Sequence, residues 1–245
     1  MQGCLISTSS AVLLATALKG NMTLRKLSVC YLSADVVGII LACLKHNTTL
    51  EELSLVYSHD ISDPTLWDGL QALRANTSLK CLKLTQTILA SSCAIAIAEV
   101  LRENSVLQEL HLSDNPIGNL GAYALAKALQ ANTSLKHLDV SNCRLTEGVV
   151  STFAESLTRN NTVECVRLGD IAVSEEWTPS FPLTANVFTR LDVSWNTLGL
   201  ERWAACMPQN DQSCSRLRIS WTEDANPSSV AKWCGSALVS CTSLT

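Results

Sequence analysis

Leu107-Gln-Glu-Leu110-His-Leu112-Ser-Asp-Asn115-Pro-Ile117 sets an apolar frame that returns along nearly the whole chain. It reappears as Leu79-Lys-Cys-Leu82-Lys-Leu84-Thr-Gln-Thr87-Ile-Leu89 and as Leu135-Lys-His-Leu138-Asp-Val140-Ser-Asn-Cys143-Arg-Leu145. Counted from the first apolar position, copies start at Leu24, Leu50, Leu79, Leu107, Leu135, Val163, Phe188 and Cys214, at intervals of 26, 29, 28, 28, 28, 25 and 26 residues. Periods of this length mark one small structural unit stacked many times, because a single unit cannot bury its apolar side alone.

Within each copy, positions four and six are apolar: Leu27/Val29, Leu53/Leu55, Leu82/Leu84, Leu110/Leu112, Leu138/Val140, Val166/Leu168, Leu191/Val193 and Leu217/Ile219. Residues two apart share a face of a strand, so each pair predicts a short strand with that face turned to the core. A helical period follows each strand, clearest from Ala122 to Leu129 and repeated at Val37–Leu44, Trp67–Leu73, Ala94–Leu101 and Val149–Leu157. Each unit therefore reads strand, turn, helix, turn, which makes the strands parallel. The closing segment Asn-x-Thr/Ser-Leu at Asn21, Asn47, Asn76 and Asn132 predicts asparagines in the left-handed conformation that ends helices. At position nine, Thr87, Asn115, Cys143, Asn196 and Thr222 are expected to hydrogen-bond the backbone of the adjoining coil.

With this period, the motif L-x-x-L-x-L-x-x-N/C-x-L resembles the ribonuclease-inhibitor-like leucine-rich repeats, a family shared by Ran GTPase-activating proteins and the sensor regions of NOD-like receptors. The likeness spans about residues 11–245. It implies an α/β solenoid, a horseshoe with a parallel sheet on the concave face and helices on the convex face, forming a single domain over residues 1–245. It also implies a protein-binding scaffold that is not an enzyme, with a Ran-type GTPase activator and a receptor sensor as alternatives, since one fold hosts many roles. The pattern breaks between Val173 and Asn186, where Pro179 and Pro182 predict a loop or short turn in place of a helix. Leu32, Ser58 and Ile171 also depart from the usual ninth residue.

A hydrophobic content of 47% against 16% charge suits a continuous core under a helical layer. The net charge is −4 and no basic stripe is present, which argues against nucleic-acid binding. Eleven cysteines form an odd set without a C-x-x-C, and many fall at core positions, so they read as buried thiols in a reducing, cytoplasmic setting. N-glycosylation sequons at Asn21, Asn47, Asn76, Asn132 and Asn160 all sit at the helix-to-strand turn and read first as repeat residues. The apolar run Ala11–Leu18 lacks a basic segment before it and aligns with Ala122–Leu129, so it reads as a repeat helix rather than a signal core. No stretch is long enough to span a membrane. The chain opens on a helix without its strand and closes on the start of a ninth unit, as expected of a piece of a longer protein.

Neither a phosphate loop nor a nucleophile elbow appears, and the four histidines, His46, His59, His111 and His137, show no metal-ligand spacing. No cofactor, metal or catalytic residue is expected.

Side chains at equal repeat positions become lateral neighbours in a parallel stack, about 4.8 Å apart. Position five then reads Ser28, Ser54, Lys83, His111, Asp139, Arg167, Asp192, Arg218. Such an alternation is either a ladder of lateral ion pairs, worth about 0.2–1 kcal/mol each, or a polar band that recognises a mixed-charge partner. Position eight reads Tyr31, Tyr57, Gln86, Asp114, Asn142, Asp170, Trp195, Trp221. Its aromatics sit at both ends of the stack around an acidic and amide centre; they either pack on loops or form binding hot spots. The candidate partner-binding set is Tyr31, Tyr57, His111, Asp114, Asp139, Asn142, Arg167, Asp170, Trp195 and Trp221. The expected partner is a globular protein, with a small GTPase as one option, bound by a monomer.

Overall fold

A computed structural model describes residues 6–59, 64–178, 187, 189–195, 197–204, 220–221, 226–228 and 230–231. Strand and helix alternate as the repeat dictates. The order is α1 (Thr8–Gly20), β1 (Lys26–Ser33), α2 (Ala34–Cys43), β2 (Glu52–His59), α3 (Pro64–Gln71) with a 3-10 turn (Ala72–Ala75), β3 (Cys81–Thr85), α4 (Ser91–Glu103), β4 (Glu109–His111), α5 (Gly118–Leu129), β5 (His137–Asp139), α6 (Gly148–Arg159), β6 (Cys165–Leu168), β7 (Leu191–Trp195), α7 (Thr197–Ala204) and β8 (Ser220–Trp221). Neighbouring strands pair in sequence order, all parallel. The register is the one the repeat requires: Leu53 lies opposite Leu82, Leu82 opposite Leu110, Leu110 opposite Leu138 and Leu138 opposite Val166.

Positions four and six supply the inner face of the sheet, and from Leu53 and Leu55 to Leu191 and Val193 they are buried. The helices cover that face with small residues, as in α4 (Ala94, Ala96, Ala98) and α5 (Ala122, Ala126, Ala128). Small side chains let the layers close tightly. At Gly69 a Cβ would stand 2.5 Å from the carbonyl oxygen of Gly38, so α2 and α3 meet backbone to backbone. Pro64 opens α3, where its missing N–H costs nothing. The apolar run Ala11–Leu18 lies within α1, capped by the Ser7 side chain, which accepts from the amide of Ser10. Among the described residues no helix is long and apolar enough to cross a membrane.

The asparagines that precede each strand depart from expectation. Asn21, Asn76, Asn104 and Asn160 have φ between −98° and −75° with extended ψ, not the left-handed conformation. Their side chains act across the stack instead. Asn132 accepts from the amides of Ser134 and Leu135 at 3.0 and 2.7 Å, which turns the chain into its strand. Its Nδ2 donates backwards to the carbonyls of Leu101 and Asn104 at 2.7 and 3.1 Å. Asn47, Asn76, Asn104 and Asn160 repeat both contacts one unit apart, giving a buried asparagine ladder. An amide is suited to this place because it donates and accepts at once, serving the carbonyls at the preceding helix end and the amides at its own strand start.

Position nine forms a second lateral tie, also directed to the preceding unit. Asn115 donates to the carbonyls of Leu84 and Leu112 at 2.7 and 2.8 Å and accepts from the amides of Thr87 and Leu89 at 2.9 and 3.0 Å. The Cys143 thiol donates to the Leu112 carbonyl at 3.2 Å. Leu32 and Ile171, which lack such a group, are simply buried. Asn196 and Thr222 lie outside the described residues. In the interrupted unit, residues 173–178 hold a turn closed by the Trp177 amide on the Ser174 carbonyl, and no helix. The rest of that expectation, residues 179–186, lies outside the described residues.

Candidate binding surface

Side chains at positions three, five and seven of each strand point away from the core, onto the concave face. Position five is in the expected register: Lys83 opposite His111, His111 opposite Asp139, Asp139 opposite Arg167, and Arg167 opposite Asp192. The lateral ladder forms in only half of it. The Arg167 guanidinium reaches Asp139 and Asp192 at 3.4 Å each. Its neighbours turn aside: Lys83 pairs with Glu52 at 2.9 Å and His111 with Glu109 at 3.5 Å. Both partners belong to position three.

Position three forms a second polar column on this face beside position five. It runs Lys26, Glu52, Cys81, Glu109, His137, Cys165, in direct register. Glu52 bridges Lys26 and Lys83 at 2.8 and 2.9 Å, and hydrogen bonds first from Lys26 and then from Lys83 hold its carboxyl down at about 2. Cys81 is buried, and burial followed by the charge of Glu109 pushes its thiol up to about 12. Against the expectation of no metal-ligand spacing, Cys81, Glu109 and His111 place one sulfur, one oxygen and one nitrogen within 4.8 Å of one another. The grouping is invisible along the chain because its members belong to two repeats; it becomes legible once position three is written as a column beside position five.

Position eight is the rim at the strand ends. Tyr31, Gln86, Asp114, Asn142 and Asp170 are all exposed, and all have φ between 54° and 60°. After β3, β4, β5 and β6 the turn uses the left-handed region at Gln86, Asp114, Asn142 and Asp170, a conformation that Asn and Asp enter most readily, and Tyr31 adopts it within β1. This explains the acidic and amide residues at the centre of the column on backbone grounds alone. Laterally, the Asn142 Nδ2 donates to Asp114 at 2.8 Å, and the amides of Asp114 and Asn142 donate to the carbonyls of Ser141 and Gly169 at 2.9 and 3.1 Å. Tyr31 is 43% exposed. Tyr57 stands beside it in the sheet, since the flanking pairs Cys30–Val56 and Leu32–Ser58 are in register. Trp195 and Trp221 are paired in register on β7 and β8. The side chains of Tyr57, Trp195 and Trp221 lie outside the described residues.

The candidate set therefore falls on two bands of one surface: His111, Asp139 and Arg167 on the sheet face, and Tyr31, Asp114, Asn142 and Asp170 on the rim. Residues 103–126 and 134–156 match family models described as leucine-rich repeat. No curated protein matches the chain. Similar solved structures include leiomodin-1 actin-binding site 2, at 22% identity over 70% of this chain and 82% of that one with a TM-score of 0.47, and the Caenorhabditis elegans tropomodulin C-terminal domain, at 14% identity over 69% and 86% with a TM-score of 0.43. At these scores neither likeness bears on function. Repeat matches, strand order and register together make this an α/β leucine-rich repeat solenoid.

Proposed function

We propose that the chain is a non-enzymatic protein-interaction scaffold of the ribonuclease-inhibitor-like type, holding a globular protein partner against its concave face and strand-end rim. Tyr31 carries this reading. A left-handed backbone costs an L-residue about 1–2 kcal/mol, and at Tyr31 that cost is borne by an aromatic that keeps 43% of its surface exposed. Strain retained at an exposed residue is what a binding position shows. Aromatic rings with polar tips are also enriched at interface hot spots. The exposed Asp114, Asn142 and Asp170 continue the same rim.

A reducing, cytoplasmic setting belongs to the same proposal. It is supported by Cys30, Cys43, Cys81, Cys93 and Cys143, which are free thiols. Burial pushes Cys43 up to about 11 and Cys143 up to about 12, which keeps both thiols protonated.

The test is quantitative affinity capture with wild type, Y31A, a D114A/D170A pair, and a control pair E99A/K127A on the exposed helical surface. Partner proteins retained by wild type and the control but lost by both rim variants are the expected result. Equal retention by the rim variants, with unfolding midpoints unchanged, would overturn the proposal.

A further inference from the structure

We propose that Cys81, Glu109 and His111 form a binding site for one zinc-class divalent ion on the sheet face, with a fourth coordination position left open. Cys81 and Glu109 are cross-strand neighbours on β3 and β4, and His111 lies two residues beyond Glu109 on the same face. Their ligand atoms already stand within 4.8 Å of one another. A tetrahedral ion with bonds of about 2.0–2.3 Å needs ligand atoms roughly 3.3–3.8 Å apart. The pair His111 Nε2 and Glu109 Oε2, at 3.5 Å, meets that spacing as it stands. Small torsions at the tips of Glu109 and His111, both partly exposed, bring the third contact into range.

The donor set chooses the ion. One thiolate, one imidazole and one carboxylate suit zinc and its borderline neighbours; magnesium and calcium prefer oxygen alone. Support for the ligands is firm, since β3 is paired on both sides and Cys81 and Glu109 sit on strands rather than loops. Lys83, the nearest cation on β3, does not compete for the site because its ammonium is held by Glu52 at 2.9 Å. On binding, the Cys81 thiol gives its proton to solvent and the sulfur takes the metal in its place. His137, which follows Glu109 in the column, is drawn towards Glu164 at 3.8 Å and leaves the fourth position to water or to a side chain from a bound protein. The site is independent of the partner reading and is tested on the isolated chain.

Reduced, chelator-stripped protein is titrated with zinc against a chromogenic chelator, and separately with cobalt(II) as a spectroscopic probe. Expected are one equivalent of zinc, a thiolate-to-cobalt charge-transfer band in the near ultraviolet, and the intense visible bands of four-coordinate cobalt. C81S should abolish the charge-transfer band. H111A and E109Q should each weaken zinc by at least about tenfold, since losing even an outer-shell partner of a metal site costs that much. C30S, at the exposed Cys30, should change nothing. If C81S does not fold, H111A decides, because its side chain is partly exposed. The proposal fails if wild type takes up no zinc at micromolar ion, or if H111A and E109Q bind zinc and cobalt as wild type does.

Discussion

Arg190 does for Asn160 what each buried asparagine does for the one before it. Its Nη1 donates to the Asn160 and Val163 carbonyls at 2.6 and 3.2 Å, and its Nη2 donates to the Leu157 carbonyl. Three residues before the first apolar position, the earlier copies carry Asn21, Asn47, Asn76, Asn104, Asn132 and Asn160; the next copy carries Ala185. That copy has no asparagine at the position, and the Arg190 guanidinium, just before β7, donates to the carbonyls instead. Arg190 is only 8% exposed, and burial lowers its affinity for the proton. A guanidinium stays charged in spite of this, and its fork serves several carbonyls at once.

R190M should therefore destabilise the protein by about 3 kcal/mol, because each buried carbonyl left without its donor costs about 1–3 kcal/mol. R190K should recover part of the loss. Urea unfolding with a common slope reads both. A midpoint for R190M that corresponds to less than about 0.5 kcal/mol would mean that other groups satisfy those carbonyls.

The repeat frame was legible because the same two constraints act in every unit. A short parallel strand must turn positions four and six inward, and Leu82, Leu84, Leu110, Leu112, Leu138 and Val140 are buried accordingly. The motif locates these asparagines but not their conformation, since their bonds run sideways to carbonyls 26 to 32 residues back. The same ladder accounts for the sequons. At Asn47, Asn76, Asn132 and Asn160 the Nδ2 that a glycan would need is buried and already donating to two carbonyls. On the surface, position eight could be read as a rim, but its left-handed backbone could not, because Tyr31 conceals a preference that Asp114 and Asn142 merely permit. The trio Cys81, Glu109 and His111 needed two columns read together, and single-column reading passes over any site whose ligands alternate between them.

Acid should weaken the sheet face through Glu52. Hydrogen bonds from Lys26 and then Lys83 lower its carboxyl from 4.5 to about 2 in the folded chain. A depressed acid stabilises fully above its unfolded value, so this contribution is complete above pH 4.5 and is lost as the pH falls towards about 2. E52Q should be less stable than wild type at neutral pH, and the difference should shrink across that window. The contribution is small, because the partners are exposed and solvent screens the pairs. Urea midpoints of both proteins above, within and below the window provide the check. A difference that stays constant with pH would show that Glu52 acts by packing rather than by charge.

Tyr31 sets stability against binding in a way that one substitution separates. Its φ of 60° matches those of Asp114 and Asn142, at 60° and 57°, so the backbone at this position suits an asparagine. Asn enters the left-handed region far more readily than Tyr, and Y31N should raise stability by about 0.5–1 kcal/mol. The aromatic ring is lost in the same step, so capture of the partner should fall while the melting temperature rises. That opposite movement is the signature of strain kept for function, and neither a packing residue nor an inert surface residue produces it. A drop in stability with capture intact would place Tyr31 among the packing residues and would shift the binding surface toward Asp114, Asn142 and Asp170.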